Sequence, residues 1–486
     1  MYCEFFVLPR DLSVPSNRVL TVSFRFVDLF AGIGGFHAAL GALGGECVYA
    51  SEWDKDAARI YERNWNLKPH GDITEEANDV VMNVPDHDVL VGGFPCQPFS
   101  KSGKQMGMEE TRGTLFWNIA KIIEVRKPAI VLLENVQNIT GPRHIHEWAI
   151  IIKTLRDLGY RVSENPMVVS PHLIRPEFGG RPQVRNRVFI AATKIPRGLP
   201  NFKANVDIPD MSSVMNDWNP LDWRLEKDLP LEKLPKGDIK KFVGLTEAEI
   251  NWIDAWNEFV LIMRERLKGE KLPGFPIWVD SWVPVDELKI PRGTPQWKKN
   301  FLQKNAMFYT DNKTVLNKWL KKWNYLEDFP PSRRKFEWQA QDAKSLWETI
   351  MHFRPSGIRA KKATYVPALV AITQTTIIGK QKRRITTREG SRLQGLPDWF
   401  DFVDQPNSVT YKQLGNGVNV GVVYNVIKAQ VIRDLDLLAQ DISLTKSILG
   451  APANPDEILS NYAKYFAREN TKLVSKQSHA TLKVVN

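Results

Sequence analysis

Short apolar runs punctuate the amino-terminal part of the chain, each stopping at glycine, proline or a charged residue. They are Phe26-Val27, Val48-Tyr49-Ala50, Val89-Leu90-Val91, Ala129 to Leu133 and Val188 to Ala192. Apolar stretches this short, bounded by turn residues, predict buried strands rather than helices. After the first run come a glycine turn, Gly32-Ile33-Gly34-Gly35, and an apolar segment from Phe36 to Leu43, which predicts strand, turn and helix in that order. Alternation of this kind points to an α/β architecture with a parallel sheet.

The strand ends carry the candidate chemistry. In such sheets, ligands and reactive groups collect at the carboxyl ends of the strands. Cys96 stands where Asp88 to Val91 breaks into Gly92-Gly93-Phe94-Pro95-Cys96-Gln97-Pro98; glycine and proline there set a sharp exit that suits an accessible nucleophile. The glycine turn lets backbone approach a nucleotide-like molecule, although its spacing is not the G-x-G-x-x-G of dinucleotide enzymes. Glu52, at the tip of the second strand, is placed for ribose hydroxyls, and Trp53 for stacking on adenine. Asp72 is a candidate acceptor for an adenine amino group. Glu134 follows the fourth run and puts a carboxyl beside the cysteine. Gln183, Arg185 and Arg187 alternate, so that period two predicts one shared face.

With these residues in place, the chain resembles the DNA (cytosine-5)-methyltransferases. The ordered strings are DLFAGIGGF from Asp28, EWD from Glu52, GDI from Gly71, GFPCQPFS from Gly92, RGTLF from Arg112, ENV from Glu134, QVRNR from Gln183, RLQGLP from Arg392 and GNGV from Gly415. They span residues 25 to 193 and roughly 354 to 425. Gly417 stands where the family usually has serine, which puts one cofactor-side contact in doubt. The resemblance implies a Rossmann-like S-adenosylmethionine-dependent methyltransferase domain with a second, smaller target-recognition domain. It implies Cys96 as the nucleophile at cytosine C6, Glu134 as the acid at N3, Arg187 at the base carbonyl, and Arg185 as a helper in positioning. S-adenosylmethionine would meet Phe30, Gly32, Gly34, Gly35, Glu52, Trp53, Asp72, Ile73, Pro95, Asn416 and Val418. Gln97, Ser100, Ser102 and Arg392 would meet DNA, with Ser100 to Met108 as a loop closing over a flipped base.

Composition agrees with a polyanionic partner. Lys and Arg number 66 against 55 Asp and Glu, a formal charge of +11, and such a balance favours nucleic acid. The three cysteines, Cys3, Cys47 and Cys96, show neither metal nor disulfide spacing, which suits a reducing cytoplasm. Prolines and charges interrupt Met1 to Leu20, so neither a signal peptide nor a membrane span is expected. The motifs divide the chain into a catalytic domain over 1–193, completed by 405–433, a target-recognition domain over 194–404 with its variable part at about 194–353, and a motif-free tail over 434–486. The variable part is rich in tryptophan, mostly read as core. Thr246-Glu247-Ala248-Glu249 there is a capping box, and Trp252/Trp256 and Trp319/Trp323 have helical spacing. Its basic stretches, Lys298-Lys299, Lys321-Lys322 and Ser332 to Lys335, are candidate DNA contacts. The expected partner is double-stranded DNA, met by a monomer, with a restriction endonuclease acting on the same site without a stable complex. Three readings compete: a tRNA cytosine-5 methyltransferase on the same fold, a non-catalytic DNA-binding homologue, and a nucleotide-dependent oxidoreductase. The last has no use for the cysteine loop.

Overall fold

The structure is a computed structural model that describes residues 22–95, 111, 114–198, 205–268, 271–369 and 375–462. Cys96, Gln97, Ser100, Ser102 and the loop to Met108 lie outside the described residues. Strand β1 (Phe24–Leu29) runs through the glycine bend into α1 (Gly35–Ala42), followed by β2 (Gly45–Ser51), α2 (Lys55–Trp65), α3 (Ile73–Glu76), β3 (Val89–Gly93), α4 (Leu115–Arg126), β4 (Ile130–Val136) and α5 (Ile145–Asp157). Four short returns complete this part: β5 (Tyr160–Arg161), β6 (Met167–Val169), β7 (Gln183–Val184) and β8 (Arg187–Lys194). The main sheet is ordered β2-β1-β3-β4-β8-β5, with β6 also on β8. β1 to β4 are parallel and β8 is antiparallel to β4. Both faces are buried, which is why the strands read as continuous apolar runs rather than alternating ones. Phe26, Val91 and Leu132 face one core, whereas Val27, Leu90 and Leu133 face the other, under α4 and α5. Local signals end the helices: Asp54 and Thr114 cap α2 and α4, and left-handed Asn66 and Lys127 close them.

The chain then builds a second layer from α6 (Ser212–Met215), α7 (Leu225–Asp228), α8 (Lys236–Asp238), α9 (Glu247–Arg266), β9 (Ile277–Trp278), α10 (Gln296–Lys322), β10 (Lys335–Gln339), β11 (Ile350–Arg354), β12 (Gly357–Lys361), β13 (Val366–Pro367), β14 (Ile377–Ile378) and β15 (Arg383–Arg384). The capping box forms: Thr246 Oγ1 accepts from the Glu249 N–H at 3.2 Å and Glu249 Oε2 accepts from the Thr246 N–H at 3.0 Å. A six-stranded sheet, β15-β14-β11-β12-β10-β9, packs Phe336, Trp338 and Phe353 against Trp256 and Phe259 of α9 and Trp319 of α10. Trp256 and Trp319 are core residues whose indole N–H groups donate to the Arg333 and Ala255 carbonyls at 2.8 and 3.0 Å. Trp323 falls just past α10, as its cap. β13 leaves this sheet and pairs with β7, Val366 opposite Gln183.

Helices α11 (Thr387–Leu393), α12 (Asn407–Asn416), α13 (Val420–Arg433) and α14 (Ile442–Gly450) return to the first unit. Packing corrects the motif-based boundaries. The second core runs from Ile253 to Ile377, whereas Met211 to Leu229 and Ile385 to Phe402 join the first core. The segment after Asp434, expected to be a separate tail, is part of that core as far as Tyr462. Leu444, Ile448, Leu459 and Tyr462 are buried in it, and the buried Asp434 carboxylate pairs with Arg161 at 3.0 Å and accepts from Thr193 Oγ1 at 2.6 Å. No helix among the described residues is long and apolar enough to cross a membrane.

Candidate active site

Strained backbone shapes the turn after β1. Phe30, Gly32 and Gly34 all have left-handed φ, at 55°, 57° and 91°, and a non-glycine residue held there signals a constraint set by its surroundings. At Gly34 a Cβ would lie 2.0 Å from Trp65 Nε1, and at Gly35 2.7 Å from the Val418 carbonyl oxygen. Glycine is therefore needed so that α2 and the α12–α13 link can close around the start of α1. That start has no side-chain cap. Glu52 Oε2 accepts from the Gly32 N–H and Oε1 from the Asp54 N–H, both at 2.8 Å, and burial raises its carboxyl pKa. The Glu52 N–H donates to the His70 carbonyl at 2.8 Å, which brings Asp72 and Ile73 alongside. Asp72 caps α3 and Ile73 is buried. Trp53 is 80% exposed, Asn416 and Pro95 are exposed, and Val418 is buried against the glycine bend.

These residues fit S-adenosylmethionine, the cofactor that the resemblance implies. Its charge is positive at sulfur and at the amino group, and the bend holds two carboxyl groups, Glu52 and Asp28. Beneath the bend, Asp28 is fully buried, and the His37 backbone N–H lies close enough to offset part of that burial, without forming a hydrogen bond of normal geometry. Burial first, and the nearby Glu52 second, hold its pKa well above the ordinary value. Glu52 keeps lone pairs for hydroxyl donors, and the open face of Trp53 suits a purine ring.

The second half of the site lies at the ends of β3 and β4, where Gly93 pairs with Glu134. A Cβ on Gly93 would sit 3.2 Å from Glu134 Oε2. The Asn135 side-chain amide donates to the Phe94 carbonyl at 2.9 Å, fixing the chain just before Cys96. Arg187 Nε pairs with Glu134 Oε1 at 2.8 Å. Burial nevertheless wins over the arginines and raises the Glu134 pKa, favouring a carboxyl that can hold a proton. Asn135 is the positioning residue that reading the sequence missed, though it stands inside the ENV string.

Arg185 differs from the expectation. The strand is interrupted at Arg185–Asn186, so the predicted shared face is not carried by one strand. Its guanidinium turns inward and donates to the carbonyls of Leu369, Gly415 and Gly417. Burial, with Arg187 adding to it, pushes its pKa down to about 9. Arg185 thus braces the Gly415–Gly417 turn and influences Glu134 only through its field.

Arg392 is held within the protein. It grips Asp398 through Nε and Nη2 at 2.7 and 2.9 Å, and its Nη1 donates to the Pro230 carbonyl. These bonds take three of the five N–H donors of the guanidinium. Among the expected basic contacts, Arg333 is buried against Trp252 and Phe353, Arg334 binds the Phe329 and Glu327 carbonyls, and Lys322 pairs with Glu258. Lys298 stays exposed.

Comparison with known proteins agrees with this geometry. The chain is 47% identical to the type II methyltransferase M.AluI of Cellulosimicrobium cellulans, over 85% of this chain and 93% of that protein. It is 31% identical to M.BanI of Aneurinibacillus aneurinilyticus over 84% and 95%. Against M.HhaI of Haemophilus parahaemolyticus it is 42% identical over 37% of this chain and 52% of that one. The profile of C-5 cytosine-specific DNA methylases matches residues 24–431. The glycine bend and the Glu134–Arg187 pair are therefore read within one established group: the chain belongs to the C-5 cytosine-specific DNA methylase family.

Proposed function

We propose that this chain methylates C5 of a cytosine flipped out of a specific duplex DNA sequence, with Cys96, Glu134 and Arg187 at the base, as the modification half of a type II restriction–modification pair. The observation that carries this reading is the Glu134–Arg187 pair, 2.8 Å apart, packed against the glycine from which the cysteine loop departs. Cytosine C5 is a weak nucleophile and must be activated. The Cys96 thiolate adds to C6, forming a C–S bond and moving the ring electrons to N3. Glu134, whose pKa burial raises, gives a proton to N3, while Arg187 holds the base carbonyl and orients the acid. Glu52, Trp53, Asp72 and the glycine bend hold S-adenosylmethionine, which when bound supplies the methyl group that C5 takes up. Loss of the C5 proton to a base, ejection of the thiolate and return of the N3 proton to Glu134 then restore the aromatic ring.

The test is methyl transfer from labelled cofactor to duplex DNA, with tRNA as a parallel substrate. Cys96→Ala abolishes transfer and leaves cofactor binding intact on this reading, and a target containing 5-fluorocytosine gives a complex that survives denaturant. Turnover by Cys96→Ala, or transfer to tRNA alone, would sink it. Glu134→Gln lowers the rate on bound DNA by about a hundredfold or more; an unchanged rate with lost DNA binding would make Glu134 structural.

A further inference from the structure

One face of the second sheet is only partly covered by packing. Phe336, Trp338, Ile358, Ala360 and Phe353 point into the core with α9 and α10. Residues of the other parity carry charge: Glu337 pairs in register with Arg359, and Arg359 with His352. Arg354 and Lys361 continue the row. Ile350 and Ile378, paired with each other on this same face, join the first core, so this face turns toward the catalytic unit.

The charge on it is unbalanced. Arg359 Nε pairs with Glu337 Oε2 at 2.7 Å. Arg354 and Lys361, both half-buried, make no ion pair or side-chain hydrogen bond among the described residues. Burial lowers the pKa of each, and their neighbouring cations lower it further. His352, pushed down to about 3 by burial and the same three cations, is neutral and bonds Thr376 Oγ1 at 2.7 Å. Holding like charges together out of water destabilises the free protein, and such arrangements mark ligand sites. The row also lies next to the catalytic strand. Lys361 acts on His172, depressing its pKa to about 4 after burial. His172 Nδ1 bonds Ser170 Oγ at 2.9 Å, and that oxygen accepts from the Arg185 N–H at 2.8 Å. From Lys361 to Val366, which pairs beside Gln183, the chain can span at most ~17 Å.

Resting on the function proposed above, we infer that Arg354 and Arg359 read guanine edges in the major groove beside the flipped cytosine, with Lys361 as their cationic support. A guanidinium matches guanine O6 and N7 in a bidentate fork, and a row of lysines does not. Glu337 takes the Nε edge of Arg359 and leaves its Nη atoms directed by that buttress. Sequence-independent phosphate contacts would not require this fixed, half-buried placement.

The experiment uses the full chain on duplexes carrying the target mapped for the wild type. Arg354→Ala and Arg359→Ala each lower kcat/KM on that target by about 5- to 150-fold, and methylation mapping shows relaxed preference at one base pair per variant. Arg359→Lys keeps the charge and loses the fork, so it shows the same relaxation. Replacing the guanine at the relaxed position with 7-deazaguanine slows the wild type and leaves the matching variant unaffected. Melting temperature and cofactor binding of folded variants serve as the check on structure. If the variants weaken binding to all sequences alike, with a salt slope reduced by about one and preference unchanged, the row clamps phosphate and the inference fails. It fails too if mapping and rates do not move. A wild type without activity on any duplex would instead overturn the function proposed above.

Discussion

Asp28 sits fully buried with neither carboxyl oxygen in a hydrogen bond of normal geometry, and its raised pKa makes a pH-dependent demand on the free protein. A carboxyl whose folded pKa lies above its unfolded value contributes stability that is complete below the unfolded value. That stability is lost as pH rises through the folded value. The wild type without cofactor should therefore lose melting temperature as pH climbs above the ordinary carboxylate range, and Asp28→Asn should flatten that part of the profile and weaken cofactor binding. Parallel profiles for the two proteins would show that Asp28 is not the group responsible. At this scale the sequence was legible where a side chain acts on its own strand end, as with Glu52 and Glu134. It misled where the guanidinium could turn either way. Arg185 and Arg392 stand in family strings, yet both spend donors within the protein, Arg185 on the distant Gly415 and Gly417 carbonyls and Arg392 on nearby Asp398 and the distant Pro230 carbonyl.

The glycine bend separates two costs that a glycine can avoid. Gly32 and Gly34 are both left-handed, but a Cβ at Gly32 meets nothing within 4 Å, whereas at Gly34 it strikes the Trp65 indole. Urea unfolding should show Gly32→Ala costing about 1–2 kcal/mol, the conformational penalty alone. Gly34→Ala should cost a further 1–3 kcal/mol or so for overpacking; equal losses would mean that Trp65 gives way freely. A second test concerns the join between sheet and helix. Arg383 of β15 and Glu389 of α11 form a fully buried pair at 2.7 Å, and Glu389 also closes a capping box with Thr386. Arg383→Met strands that carboxylate and should destabilise the protein by about 3–5 kcal/mol, read by thermal and urea unfolding. A drop under 1 kcal/mol would show that the pair is dispensable. The continuous apolar runs and the Thr246 box announced their elements. The six-stranded second sheet did not, because strands of two to five residues, alternating charge and apolar side chains, leave too short a period to recognise.

Across the whole molecule, reading motifs in order drew the edges of the units by where motifs stop, whereas packing follows buried surface. The clearest case is the segment after Asp434, which carries no motif and still supplies buried leucines to the first core. A chain ending at Arg433 would expose the face of α13 that meets α14 and leave Arg161 without its buried partner. It should be recovered as aggregate, and soluble, fully active protein of that length would contradict the packing. The same closure has a consequence for how the enzyme is made. The wall that Val418 and α13 give to the glycine bend is synthesised about 380 residues after the bend itself, ~20–80 s later at ordinary rates of translation. During that interval a growing chain can carry its cysteine loop and yet has no finished pocket for a methyl donor. Products terminated before Val418 should consequently be inert toward DNA.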